Sequence, residues 1–350
     1  MKTNNFTGKV MMNRKGFLKL LSAGGLGSLL ANTGDYSQHK SIIKPKRLQQ
    51  GDTIGLISPG FILPDADKYD EIIEQVQKLD YKVKEGHNAR NQYGYLAGTD
   101  AERAADLNAM FADDSVDAIM PFRGGWGCNR ILPLIDFDII RNNPKILVGY
   151  SDITTLLLSI FAKTGLITFH GPVGKSEWTD YTKQHFKEVL TGKRKLFNIP
   201  DKDICEDCDD LEVITPGKAT GTLLGGNLSV LSAMMGSDYL PNWDNGILFL
   251  EDIGEDVYRL DRMLTQLKLN GVLEKISGFI FGQCISCEMS SSKSLTLRQV
   301  FDDHIKPLGI PAFSGAMIGH IDNMLTLPVG VPVEMDTQEG TIKLNETAVT

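Results

Sequence analysis

The sequence predicts an α/β protein: an N-terminal doubly wound parallel-sheet domain, then a C-terminal α/β domain with extra β structure. Three observations predict it. From Thr53 on, short apolar runs alternate with segments of helical period, the pattern of βαβ units and so of a mostly parallel sheet covered on both faces. The pattern fails across an acidic stretch, 201–216, and resumes beyond it, which sets an expected linker between two domains. Finally, 350 residues exceed the usual size of one domain, and 42% hydrophobic residues supply core for two.

In the first domain, expected over 46–200, the run 53–58 reads as a buried strand stopped by Pro59-Gly60. Residues 67–79 place Tyr69, Ile72, Ile73, Val76 and Leu79 at a 3.6-residue period and read as a helix. A strand near 81–83, a helix over 100–111 and a strand over 116–120 follow. The apolar run 145–150 is a further strand, feeding a helix over 152–163. In the second domain, expected over 217–345, a strand over 219–224 leads to Gly225-Gly226-Asn227 and a helix to Met235. A strand over 246–250 precedes a helix over 255–269 with Val257, Leu260, Met263, Leu264 and Leu267 on one face and Gly271 as its C-terminal cap. Residues 276–281 and 312–317 read as strands, and 331–344 as a terminal hairpin around Gly340.

The formal charge of −8 argues against nucleic acid or an anionic membrane as partner, since phosphate binding relies on an excess of Lys and Arg. No stretch approaches the ~20 apolar residues of a membrane span. Residues 1–40 differ from the rest. Arg14-Lys15-Gly16-Phe17-Leu18-Lys19 followed by an apolar run to Ala31 has the basic and apolar regions of an export signal, resembling a twin-arginine leader with lysine in the second place. The expected mature chain, beginning after roughly position 31, is exported, with the periplasm as its compartment; the alternative is a plain N-terminal tail on a cytoplasmic protein. Cys205 and Cys208, like Cys284 and Cys287, form Cys-x-x-Cys pairs, which suit either structural zinc or, in an exported protein, disulfides. Neither a catalytic metal nor a cofactor is expected.

A serine, a carboxylate and a histidine stand at the ends of three expected strands: Ser151 in Gly149-Tyr150-Ser151-Asp152, Glu251 in Leu250-Glu251-Asp252, and His320 after Gly319. Together they are the parts that activate a hydroxyl as a nucleophile. Ser151 sits where a strand turns into a helix, although Ile153 fills the last place of the Gly-x-Ser-x-Gly signature. Equally, Ser151 or Asp152 could simply cap the helix. Glu251 and Asp252 have a similar alternative, as capping residues of the next helix. Arg123-Gly124-Gly125-Trp126-Gly127 follows a strand at its carboxyl end, where open parallel sheets bind ligands, and suits a phosphate nest or an oxyanion donor. Of the six histidines, only His170 and His320 have strand-end settings, and His170 is expected to act in packing.

Arg123–Gly127, Gly149-Tyr150-Ser151-Asp152-Ile153-Thr154, His170-Gly171-Pro172, Leu224–Leu228, Leu250–Glu255, Arg259–Leu264 and Gly319-His320 with Leu327–Gly330 closely resemble the LD-carboxypeptidase (muramoyltetrapeptide carboxypeptidase) family. The likeness runs from about Lys46 to Leu344. It implies a triad of Ser151, Glu251 and His320, with backbone N–H groups of Gly125 and Asp152 as oxyanion donors. It also implies a site between two α/β domains, a homodimer, and a murein tetrapeptide substrate that loses its terminal D-alanine. Candidate substrate contacts are Arg123, Trp126 and Asn227. A related branch, the microcin C immunity peptidases, instead cleaves a peptidyl-nucleotide. A ligand-binding module without activity would need a broken triad, and all three positions are intact.

Overall fold

The computed structural model describes residues 41–198 and 208–350. The leader, 1–40, and Cys205 lie outside the described residues. The strands are β1 (Thr53–Ile57), β2 (Lys82–Glu85), β3 (Ala118–Pro121), β4 (Ile146–Gly149), β5 (Thr168–His170), β6 (Leu196–Asn198) and β7 (Glu212–Thr215). They continue with β8 (Lys218–Asn227), β9 (Gly246–Ile253), β10 (Gly278–Ile285), β11 (Ala312–Ser314), β12 (Leu327–Val329), β13 (Pro332–Asp336) and β14 (Thr341–Leu344). The helices are α1 (Asp67–Gln77), α2 (Asp100–Ala112), α3 (Cys128–Ile131), α4 (Phe137–Asn142), α5 (Thr154–Thr164), α6 (Asp180–Leu190), α7 (Leu228–Ala233), α8 (Val257–Leu269) and α9 (Leu297–His304).

The first sheet has the order β12-β5-β4-β3-β1-β2, and β1 to β5 run parallel within it. The order 2-1-3-4-5 reverses direction between β1 and β3, the switch point at which open α/β sheets bind ligands. Its strands show why they formed. Ile54, Leu56, Ala118, Met120, Ile146 and Val148 enter one apolar cluster, while the intervening Ile57, Ile119 and Leu147 enter another with Leu156, Leu157 and Ile160 of α5. Both faces are covered, so the strands read as unbroken apolar runs. The second sheet, β6-β14-β13-β8-β9-β10-β11-β7, has a parallel centre, β8 to β11, flanked by antiparallel strands. The expected hairpin around Gly340 is β13–β14.

Several expectations are corrected. The stretch 201–216 is not linker throughout: Glu212–Thr215 pairs with β11 as the edge strand of the second sheet. Strand membership also crosses the expected division. β6 precedes the acidic stretch yet pairs with β14, and β12 follows it yet pairs antiparallel with β5 of the first sheet. Only Gly330 and Val331 separate β12 from β13, so the chain passes from one sheet to the other in a single step. The strand 312–317 closes at Ser314, which leaves His320 in an irregular segment rather than at a strand end. Among the described residues no helix is long and apolar enough to cross a membrane.

Candidate active site

Beyond the carboxyl end of β4 the chain makes a sharp turn, Ser151–Ile153, before α5. Ser151 adopts φ +62°, a left-handed conformation that costs a non-glycine residue about 1–3 kcal/mol and persists only where its surroundings impose it. This is the geometry of a nucleophile elbow. The capping alternative fails, because neither the turn nor α5 has a side-chain cap. Ile153, at the position where the signature has glycine, is buried in the core.

Glu251 and Asp252 lie within the last residues of β9, not beyond it, and alternate faces. The Glu251 side chain is wholly buried, and its Oε2 accepts from Nδ1 of His320 at 2.8 Å. Because a carboxylate can only accept, Nδ1 is the nitrogen that donates in this pair. Gly319 permits this approach: its φ is +121°, and a Cβ there would lie 3.0 Å from Glu251 Oε2. Tyr150 packs edge-on against the His320 ring at 4.9 Å, and its phenol pKa is raised by burial. Asp252 faces the other way, accepting from Asn227 Nδ2 at 3.2 Å and from the N–H and hydroxyl of Ser229 at 2.9 and 2.8 Å. Burial and the neighbouring Glu251 push its pKa up to about 6.

Ser151 and His320 line one cleft of about 800 Å³ together with Arg123–Gly127, Asp152, Asn227 and Asp252. All eight sequence-derived candidates except Glu251, which stands behind His320, therefore meet at one place. Glycine is required at position 124, where a Cβ would fall 2.9 Å from the Cβ of Ser151. The Asp152 side chain, which sequence reasoning treated only as a cap, ties the glycine loop to the elbow by accepting from Cys128 N–H at 2.9 Å. Arg103 supports the same loop from a buried position, donating to Gly127 O at 3.0 Å. No motif signalled Arg103; its place on the amphipathic α2 gave no hint of burial. Cys128 is buried, and its thiol pKa is raised far above normal, so it is no nucleophile.

The candidate substrate contacts differ in freedom. Trp126 is 54% exposed and packs on Phe61 with centroids 4.3 Å apart. The Arg123 guanidinium lies 4.6 Å from the centre of the Phe61 ring, and burial lowers its pKa. Asn227 is already engaged, capping α7 through Val230 N–H while bonding Asp252. Its backbone N–H donates to Thr154 Oγ1 at 3.0 Å, joining the second sheet to the helix behind the elbow. Among the described histidines, His170 is buried, His304 pairs with Asp261 at 2.6 Å, and His185 is buried against Phe197. Cys284 and Cys287 form a disulfide, and the described residues contain no cluster able to hold a metal.

Residues 54–171 match the model of the LD-carboxypeptidase N-terminal domain, and 220–335 that of the LD-carboxypeptidase C-terminal domain. The chain is 42% identical over 306 residues to the probable murein peptide carboxypeptidase of Bacillus subtilis (strain 168), covering 85% of this chain and 93% of that one. Among solved structures it resembles MccF in complex with glutamyl sulfamoyl guanosine, with a TM-score of 0.80 and 30% identity over 88% of this chain and 99% of that one. A muramoyltetrapeptide carboxypeptidase from Oxalobacter formigenes matches with a TM-score of 0.72 and 28% identity, over 83% and 97% of the two chains.

Proposed function

The chain belongs to the LD-carboxypeptidase family, and on that premise we propose that it is a serine carboxypeptidase releasing terminal D-alanine from murein tetrapeptides. The observation that carries this is a serine at φ +62° sharing one cleft with a histidine whose far nitrogen is bound to a buried glutamate. In the proposed reaction Ser151 Oγ adds to the carbonyl carbon of the third residue while its proton passes to His320 Nε2. Glu251 holds the ring and stabilises the imidazolium. The oxyanion is met by backbone N–H groups of Gly125 and Asp152. Collapse breaks the C–N bond, His320 returns the proton to the D-alanine nitrogen, and water hydrolyses the acyl-enzyme by the same route reversed.

Arg123 is assigned to the terminal carboxylate and Trp126 to the cleft mouth, while Asn227 acts by holding Asp252. The assignment predicts D-alanine release from L-Ala-D-Glu-(L-centre diamino acid)-D-Ala and none from the all-L isomer, read by mass spectrometry. Equal cleavage of both isomers makes the enzyme a general peptidase. Cleavage of an acyl-sulfamoyl adenylate alone selects the second reading, which the likeness to the MccF complex favours. The leader-like segment supports export to the periplasm, and fractionation of the native cell tests it. A homodimer, the family's habit, is tested by sedimentation.

A further inference from the structure

The strand beside Glu251 carries a disulfide that this chemistry leaves unused. On β10, Phe281 pairs with Leu250 and Cys284 with Asp252, so two residues, Gly282 and Gln283, stand opposite Glu251 alone. Such a bulge interrupts the ladder and bends the strand beside the carboxylate. The β10 backbone from the bulge onward holds the segments on both sides of Glu251. Gln283 N–H donates to Ile318 O at 2.9 Å, two residues before His320. A Cβ on Gly319 would lie 3.2 Å from Gln283 O. On the other side Gly254 N–H donates to Ile285 O at 2.8 Å and Val257 N–H to Glu288 O at 3.1 Å. These bonds fix the passage from β9 to α8, whose Ile253 and Glu255 line the cleft.

The Cys284–Cys287 disulfide closes the turn from which these bonds are made. Inside it Ser286 has φ +57°, a left-handed conformation that a non-glycine residue keeps only where its surroundings impose it. Opening the ring lets Ser286 relax. Ser286 is exposed and both cysteines are only half-buried, which leaves the sulfurs within reach of a thiol. A disulfide that is accessible and closes a strained turn is of the kind that exchanges readily. We propose that Cys284–Cys287 is a thiol–disulfide exchange site for a dithiol reductant, and that its reduction slackens the wall carrying Glu251 and His320 and slows the enzyme. One thiolate of the reductant attacks a sulfur of the pair; the S–S bond breaks, a mixed disulfide forms, and the released cysteine takes a proton. The reductant's second thiolate then displaces the other cysteine, which is protonated in turn. The reductant leaves as its own disulfide, having given up two electrons. With a sequence separation of 3, the bond closes too short a loop to constrain the unfolded chain much, so its loss acts on local geometry more than on global stability.

The inference rests on the triad assigned above. Its test treats the folded native chain with dithiothreitol, alkylates the free thiols and maps them by mass. D-alanine release is assayed before and after, as is labelling of Ser151 by a small fluorophosphonate, which reads nucleophile activation without any peptide. Cys284 and Cys287 should be alkylated, and kcat and the labelling rate should fall together by about tenfold or more, because small displacements of catalytic groups are costly. The melting temperature should move little, and glutathione disulfide should restore both rates. Cys208 is also disulfide-bonded, and the Gln283 side chain holds the backbone of its neighbour Asp209 at 2.8 and 3.2 Å, so a variant must assign the effect. Without reductant, the double variant Cys284→Ser, Cys287→Ser should match the reduced native chain. A double variant as fast as the oxidised native chain, or one that dithiothreitol slows as much as it slows the native chain, overturns the proposal. So does a folded native chain that keeps this disulfide in dithiothreitol, or one that loses it and is no slower. Should the double variant not fold, Cys208→Ser decides: a rate unmoved by reduction of Cys284–Cys287 in that chain overturns it. An oxidised native chain labelled at Ser151 but inert on tetrapeptide removes the substrate assignment and leaves this inference to the labelling rate; with neither labelling nor cleavage, both fall.

Discussion

The two walls of the cleft secure their reactive groups by different means. On the first-sheet wall Ser151 is placed by backbone: a left-handed φ, a glycine at 124 pressed against its Cβ, and a loop tied down through Asp152. On the second-sheet wall Glu251 and His320 are placed by a side-chain hydrogen bond, and His320 itself comes from an irregular segment. Backbone placement tolerates loss of the side chain but not a change in local shape. Side-chain placement has the opposite weakness. Substitutions on each wall should therefore separate activity from stability in different ways.

The largest effect is expected at the elbow. Ser151→Gly should abolish turnover, a loss of about 10⁴–10⁶ in kcat. It should also raise the melting temperature, since glycine adopts φ +62° without strain. A variant that kept a tenth of native activity, or that melted lower, would break the contrast. Next comes Glu251→Gln, which keeps shape but loses the carboxylate that fixes the imidazole tautomer. Its kcat should fall by about 10²–10⁴. Labelling of Ser151 by a fluorophosphonate should slow in proportion; undiminished labelling would show that Glu251 serves packing alone. Gly124→Ala should be milder on chemistry and worse on stability, costing about 1–3 kcal/mol because its Cβ must displace Ser151. Thermal denaturation with a parallel rate assay checks it, and an unchanged melting point would remove the close approach from the account.

The smallest effect is in pH. His170 and His185 both have pKa values held down at about 4 by burial, against an ordinary 6.5. The unfolded chain therefore takes up their protons first. The stability they permit is whole above pH 6.5 and is lost as pH falls toward 4. Asp252 acts in the opposite sense. Its pKa, raised to about 6 from an ordinary 3.8, means that stability is lost as pH rises through that interval. His185→Gln should flatten the acid decline without touching turnover, and Asp252→Asn should remove the decline on the alkaline side. Melting curves between pH 4 and 8 test both, and a His185→Gln curve parallel to the native one would exclude that histidine as a source of acid lability.

Much of this was readable in the chain because the parallel strands are unbroken apolar runs and each candidate residue ends one or nearly ends one. The places of Ser151, Glu251 and His320 along the chain and the glycine loop were legible for that reason. What escaped is what depends on distant partners. No local pattern distinguishes Asp152 as a cap from Asp152 as an anchor for Cys128, since both uses want a carboxylate at a helix start. Arg103 looked like any solvated helix residue. The edge strand Glu212–Thr215 was hidden by the acidic residues that run up to it, from Asp201 to Asp210, which mark the whole stretch as linker. His320 was placed at a strand end because the apolar run to Ile318 outlasts the pairing, which stops at Ser314.

The passage of the chain between sheets has a mechanical meaning. β12 closes the edge of the first sheet, and two residues later β13 is paired into the second, while Gly330 N–H and Val331 O bond to Leu223 on β8. A hinge between the two walls would have to shear these pairings or unzip β12 from β5. The walls are riveted rather than jointed. A ligand in such a cleft meets a shape that is already set, with no closure needed to assemble it.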